Sequence, residues 1–185
     1  MINVISTGIV GLDIALGQGG IPRGRLTEIF GPEKAGKTSL CLSIVSEVQK
    51  EGDAAAYVDI DQTLDASRAS RLGIDIHKLI YARPGNALQA LEITQTLTRS
   101  GELAVVVVDS FAGLLIMGAG SSVYTRGDAI SRLLAQAVRK LSFNTEQTGT
   151  AVLFTNELQE HAGVMYGVPT NTPGGISLKI HTSTR

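Results

Sequence analysis

The sequence predicts an α/β fold, a mostly parallel central sheet with helices on both faces. Three observations predict it. Short apolar runs alternate with helix-periodic stretches along the chain, the pattern that builds parallel sheets. The octapeptide Gly31-Pro32-Glu33-Lys34-Ala35-Gly36-Lys37-Thr38 fits G-x-x-x-x-G-K-[ST], the phosphate-binding loop of nucleotide hydrolases, and it stands between a strand-like and a helix-like stretch as that motif requires. A second apolar run, Leu103 to Val108, ends directly in Asp109, the acid that accompanies such a loop.

Length and charge set the bounds. The 185 residues make one ordinary domain, residues 1–185, long enough to bury a core without staples. A formal net charge of −1 lacks the basic excess of a nucleic-acid binder, so any DNA contact must be local. Cys41, the single cysteine, falls on an apolar helical stripe; it reads as an inert core thiol and suits a reducing, cytoplasmic compartment. The start of the chain has no basic leader, and the apolar runs at Val105 to Val108 and Phe111 to Met117 are far short of a membrane span. A soluble cytoplasmic protein without a membrane partner is the expectation.

Taken in order, Ser6 to Gly24 combine a short helical patch at Leu12 to Leu16 with a glycine-rich turn. Arg25 to Phe30 reads as a strand leading into the phosphate loop. Gly31 and Gly36 let the backbone turn and approach a polyphosphate, with successive N–H groups and a helix N-terminus facing the anion. Lys37 adds a full charge for the β- and γ-phosphates, and the Thr38 hydroxyl is placed to ligate Mg²⁺. The motif alone fits ATP or GTP. Leu40, Cys41, Ile44, Val45 and Val48 then mark an amphipathic helix. Ala54 to Ile60 reads as a buried strand closing on Asp59 and Asp61, at the sheet edge that faces ligands in open α/β folds. A polar helix at Leu64 to Leu72, a strand at Lys78 to Ala82 and a helix at Asn86 to Arg99 follow. Beyond Asp109, which should orient a Mg²⁺-bound water opposite Lys37, residues Phe111 to Gly127 show no clear period and several glycines, and read as a long functional loop. Ile130, Leu133, Leu134, Ala137, Val138 and Leu141 give the cleanest helical stripe. A strand at Thr150 to Thr155, a second loop at Asn156 to Thr172 and a final segment at Gly174 to His181 complete the chain.

With these pieces in place the chain resembles the RecA/RadA recombinase family, with wording nearest to its bacterial members. The matching stretches are Ile5-Ser-Thr-Gly8, Leu12-Asp-Ile-Ala-Leu-Gly17, Gly31-Pro-Glu33, Gly36-Lys-Thr38, Ala90-Leu-Glu-Ile93, Val106-Val-Val-Asp-Ser110, Arg139-Lys-Leu141, Gly163-Val-Met165 and Gly174-Gly175. The resemblance implies a RecA-like P-loop NTPase fold and ATP with Mg²⁺ as cofactors. It implies a DNA-dependent ATPase of recombination and repair, with single-stranded DNA and a homo-oligomeric filament as partners. It places nucleotide contacts along Gly31 to Ser39 and at Asp65 and Arg68, the metal at Thr38 and Asp109, and catalysis at Lys37, Asp61 and Glu157. The loops at 111–127 and 156–172 match the family's DNA-facing loops, with Arg126, Tyr166, Gly174 and Gly175 as DNA contacts.

The chain departs from the family pattern in several ways. Asp61 is one methylene shorter than the family's water-activating glutamate, which implies slow hydrolysis, since a misplacement near 1 Å costs about a hundredfold in rate. Glu157 stands where an Asn-Gln pair senses the γ-phosphate; a carboxylate roughly 4 Å from one phosphate charge would be repelled by about 4 kcal/mol at an effective dielectric near 20. Arg68 replaces an aromatic residue near adenine. The second loop carries Glu157, Glu160 and His161 but no Lys or Arg, which works against DNA phosphate contacts. Only Met1 to Val4 precede the core, where the family has an N-terminal docking helix and strand, and the chain stops at Arg185, ahead of the family's lysine-bearing segment and C-terminal domain. The alternative reading is a nucleotide-holding regulatory paralogue without strand exchange.

Overall fold

Buried strands of small and β-branched residues, such as Ala55–Asp59 and Val105–Asp109, suit a sheet covered on both faces. The computed structural model describes residues 3–119, 123–160, 170–173 and 175–185. The elements run β1 Val4–Ile5, α1 Val10–Ala15, β2 Ile21–Pro22, β3 Leu26–Gly31, α2 Lys37–Lys50, β4 Ala55–Asp59, α3 Ala66–Arg71, β5 Ile80–Ala82 and α4 Ala87–Ser100. They continue with β6 Val105–Asp109, α5 Phe111–Ala119, α6 Val123–Thr148, β7 Ala151–Glu157, β8 Gln159–Glu160, β9 Thr170–Asn171, α7 Gly175–His181 and β10 Thr182–Thr184. The main sheet has the order β10-β3-β7-β6-β4-β5, and its pairings are parallel. The α/β architecture expected from the alternation is the one observed.

Strand parity sorts the core into two layers. Ala55, Tyr57, Val105, Val107, Ala151 and Leu153 pack with Cys41, Ile44, Val45 and Val48 of α2. Ala56, Val58, Val106, Val108, Val152 and Phe154 face the other way, toward α4, α5, α6 and Leu178 of α7. Cys41 has no exposure, and burial followed by the Asp109 charge pushes its thiol well above the usual range, which agrees with an inert core residue. No described helix is long and apolar enough to cross a membrane.

Two local expectations are corrected. Within the predicted loop over 111–127, residues 111–119 form α5 and 123–127 begin α6, while 120–122 lie outside the described residues. Phe111, Ala112 and Leu114 are buried and their neighbours are apolar too, so α5 shows no polar face from which a period could be read. Its glycines are packing positions rather than turns: a Cβ at Gly118 would come within 2.8 Å of the Ile130 side chain. The second predicted loop, 156–172, is partly sheet, because β7 runs on to Glu157 and β8 pairs antiparallel with β9. Strand β10 had no sequence signal; it joins the sheet beside β3.

Register decides what meets at the carboxyl edge of the sheet. Gly31 is opposite Glu157, Phe30 opposite Asn156, and Asp59 opposite Asp109. Segments distant in sequence thereby share one rim, the position where open α/β sheets bind ligands.

Candidate nucleotide site

Strand β3 delivers Gly31 to this rim, and the chain turns through Pro32, Glu33, Lys34 and Ala35 before α2 begins at Lys37. Gly36 occupies the cap position with φ of 92°, a left-handed conformation that strains any side chain. It offers no side-chain cap, so the first N–H groups of α2 are left to an anion or to water. Lys37 Nζ donates to the carbonyls of Gly31 at 3.1 Å and Pro32 at 2.9 Å, which holds the ammonium over the loop. Lys34 and Glu33 form an exposed pair at 3.8 Å.

Asp109 is the centre of the buried half of the site. The Thr38 hydroxyl donates to its Oδ2 at 2.8 Å, the Tyr57 hydroxyl donates to the same oxygen, and the Thr155 hydroxyl donates to Oδ1. Burial and then the Asp109 charge push the Tyr57 phenol far above its ordinary range, so it remains a donor. Thr38 and Asp109 together present a hydroxyl and a carboxylate, hard oxygen donors of the kind Mg²⁺ takes alongside water and phosphate.

Asp61 lies beyond the end of β4, where its N–H and that of Ile60 donate to the Asp109 carbonyl at 3.2 and 2.7 Å. The residue is exposed overall, but its carboxyl is partly desolvated and titrates above the usual carboxylate range. Burial is the main cause; a hydrogen bond from Ser110 opposes it, and the charges of Asp109, Glu157 and Asp59 add to it. Gly113 packs against this carboxyl, and a Cβ there would overlap Asp61 Oδ1. Asp59 takes a different part: fully buried, it accepts N–H groups of Thr63 and Leu64 at 3.1 Å each and the Tyr81 hydroxyl at 2.8 Å, so it anchors the chain leaving β4.

The remaining expected positions fall around this centre. Lys34, Gly36, Lys37, Thr38, Ser39 and Arg68 line one cleft of about 280 Å³, and the Arg68 guanidinium donates to the Ser39 hydroxyl. Asp65 caps α3 by accepting N–H groups of Ser67 at 2.8 Å and Arg68 at 3.3 Å. Across the loop, Ile9, Ile29, Phe30, Leu40 and Leu72 border a more apolar hollow of about 520 Å³ that shares Gly36 and Lys37. Glu157 is exposed, next to Asn156, whose side-chain oxygen accepts its N–H at 3.0 Å. Of the expected DNA contacts, Arg126 belongs to α6 and Gly175 opens α7; Tyr166, Gly174 and the Arg126 side chain lie outside the described residues. Sequence reasoning missed Tyr57, Thr155, Ser110 and Gly113. Only register brings the first two to Asp109, whereas Ser110, as the neighbour of Asp109, carried a positional signal.

A glycine phosphate loop between strand and helix, a buried acid bonded to the loop threonine, and a parallel sheet presenting both at its carboxyl rim define a P-loop nucleotide-binding protein. The model of the RecA N-terminal domain matches residues 1–185, and the chain belongs to that family. It is similar to "Protein RecA" of Thermus aquaticus, 48% identical over 188 residues, covering 100% of this chain and 55% of the relative. The protein of the same name from Deinococcus radiodurans is 47% identical over 188 residues, with 100% and 51% covered. That from Rubrobacter xylanophilus is 46% identical over 183 residues, with 98% and 53% covered. The chain spans about half the length of the curated relatives it matches.

Proposed function

We propose that this chain is the ATP-binding core of a recombination and repair ATPase that works with Mg²⁺ on single-stranded DNA. The observation that carries the reading is the convergence of Lys37, Thr38, Asp109 and Asp61 on one sheet rim, in a chain that matches the family from end to end. The N–H groups around Gly36 and the Lys37 ammonium hold the phosphates, Thr38 and Asp109 hold the metal, and Arg68 flanks the base. Bound Mg²⁺ supplies positive charge to the phosphate oxygens during transfer. Asp61, with a carboxyl titrating above the ordinary range, orients the attacking water and accepts its proton; its short side chain makes turnover slow. The segments at 111–127 and 156–172 face DNA. The protein assembles with further copies of itself and works in the cytoplasm.

A second reading is favoured by Glu157: an exposed carboxylate paired in register with Gly31 repels the nucleotide's terminal phosphate and suits a regulatory module that holds ATP without acting on DNA. ATP turnover with and without single-stranded DNA, at several salt concentrations, decides between them. Stimulation that fades with salt supports the first reading, and a flat slow rate supports the second. In Lys37→Ala the affinity for an ATP analogue should fall by at least about tenfold, the effect of one lost charge-assisted hydrogen bond; unchanged affinity would refute the site.

A further inference from the structure

Glu28 has a side chain with no solvent exposure, on the strand that runs into the phosphate loop. A carboxylate tolerates such burial only when its oxygens are partnered. Both are: Oε1 accepts from Asn156 Nδ2 at 2.8 Å, and Oε2 accepts from Arg185 Nε at 2.6 Å. The second hydrogen of the same Asn156 amide goes to the Pro173 carbonyl at 2.8 Å, while its Oδ1 accepts the Glu157 N–H at 3.0 Å. This amide therefore has both hydrogens engaged within the protein. Arg185 also donates from Nη2 to the Thr172 hydroxyl at 3.3 Å and lies over the Phe30 ring, 4.7 Å from its centroid. Thr172 is itself buried, with its N–H on Asn171 Oδ1 at 2.9 Å.

The last two residues of β7, Asn156 and Glu157, and the residues Thr172 and Pro173 are thus tied directly or through one side chain to a single carboxylate. Leu158 adds a rung by donating its N–H to the Gly31 carbonyl at 3.2 Å.

We propose that Glu28 is a positioning residue that clasps Asn156 and Glu157 to Thr172 and Pro173 and sets where these two stretches stand relative to the phosphate loop. Asn156 is the arm of the clasp on the first stretch and Arg185 the arm on the second. Because the clasp rests on the strand that ends at Gly31, a displacement of that strand end reaches both stretches together. A consequence for DNA binding rests on the proposed function above; the clasp itself does not.

The test uses the full chain with Glu28→Gln, Arg185→Gln and Arg185→Lys. Amide hydrogen exchange at Glu157, Leu158 and Thr172 should accelerate about tenfold or more in the two Gln variants, the factor that losing one charge-assisted hydrogen bond gives. Amides of Val106 to Val108 in β6 and the affinity for an ATP analogue should stay at parent values. Arg185→Lys keeps a cation on Glu28 and should recover most of the protection. Parent exchange rates in both Gln variants overturn the clasp, as does acceleration spread equally over β6. Should Glu28→Gln fail to fold, Arg185→Gln, altered at the half-exposed arm, decides by the same readout. Affinity for a fluorescent oligo-dT strand is read in parallel: accelerated exchange with unchanged DNA affinity supports the clasp and refutes the assignment of residues 156–172 to DNA.

Discussion

Replacing Gly113 with alanine should slow ATP turnover about a hundredfold, although the same change raises the intrinsic helix tendency of α5 by about 1 kcal/mol. The structure supplies the opposing effect. A Cβ at this position would overlap Asp61 Oδ1 and stand 2.8 Å from Ile60 Cγ2. Ile60 is only 2% exposed and held in the core, whereas Asp61 is exposed, so the carboxylate is the group that moves further. To reach an ordinary contact it must retreat by about 1 Å, and a displacement of that size at a reacting group costs roughly 2.7 kcal/mol of barrier, or a hundredfold in rate. The assay is steady-state ATP hydrolysis at saturating single-stranded DNA, with ATP-analogue affinity and thermal melting measured in parallel. Turnover should fall and affinity should hold. Gly118→Ala is the control, because it adds the same methyl to the same helix against the Ile130 side chain rather than against Asp61. A Gly113→Ala rate within about twofold of the parent, or an equal loss in both variants, would refute the placement of Asp61 as the water-orienting group.

Two further outcomes follow from the site's carboxylates. Tyr57→Phe removes one of the two hydroxyls on Asp109 Oδ2 and should lower stability by about 1.5–3 kcal/mol in urea unfolding, the usual worth of a hydrogen bond to a carboxylate; no loss would mean that Thr38 and Thr155 satisfy Asp109 alone. The base role proposed for Asp61 requires its ionised form, so turnover should fall as pH drops through a value above the ordinary carboxylate range, and Glu157→Gln, by removing one of the repelling charges, should move that acid limb to lower pH without returning it to the ordinary value, since burial remains the larger cause. The linkage has the same sign: an acid whose folded pKa is raised costs stability as pH rises from its unfolded to its folded value, so Glu157→Gln should also be slightly more stable at neutral pH, and an acid limb left in place would sink the coupling.

The phosphate loop, the helix behind it and Asp109 were readable because each is a local pattern: a glycine spacing, a helical stripe, an acid at the end of an apolar run. The pair Asp59 and Asp61 was readable as a pair of acids at a strand end, but not which of them would turn inward to cap the chain. Helix α5 escaped notice because burial of an apolar helix with few polar positions erases the period that identifies one, and its glycines served close contacts with Asp61 and Ile130 instead of turns. Strand β10, with its polar Thr182-Ser183-Thr184, is a strand only because β3 offers it an edge.

What the sequence determined by itself is therefore the chemistry on offer and the fold class, since strand and helix periods, the glycine loop and its lysine act over a few neighbouring residues. Tertiary structure decided the partnerships. Thr38 meets Asp109 across 71 positions, Tyr57 across 52, Thr155 across 46, and Arg185 meets Glu28 across 157. No local pattern encodes such pairs. They exist because parallel register lays the ends of β3, β4, β6 and β7 side by side and, by strand parity, sends Asp109 toward α2 and Glu28 toward α6 and α7.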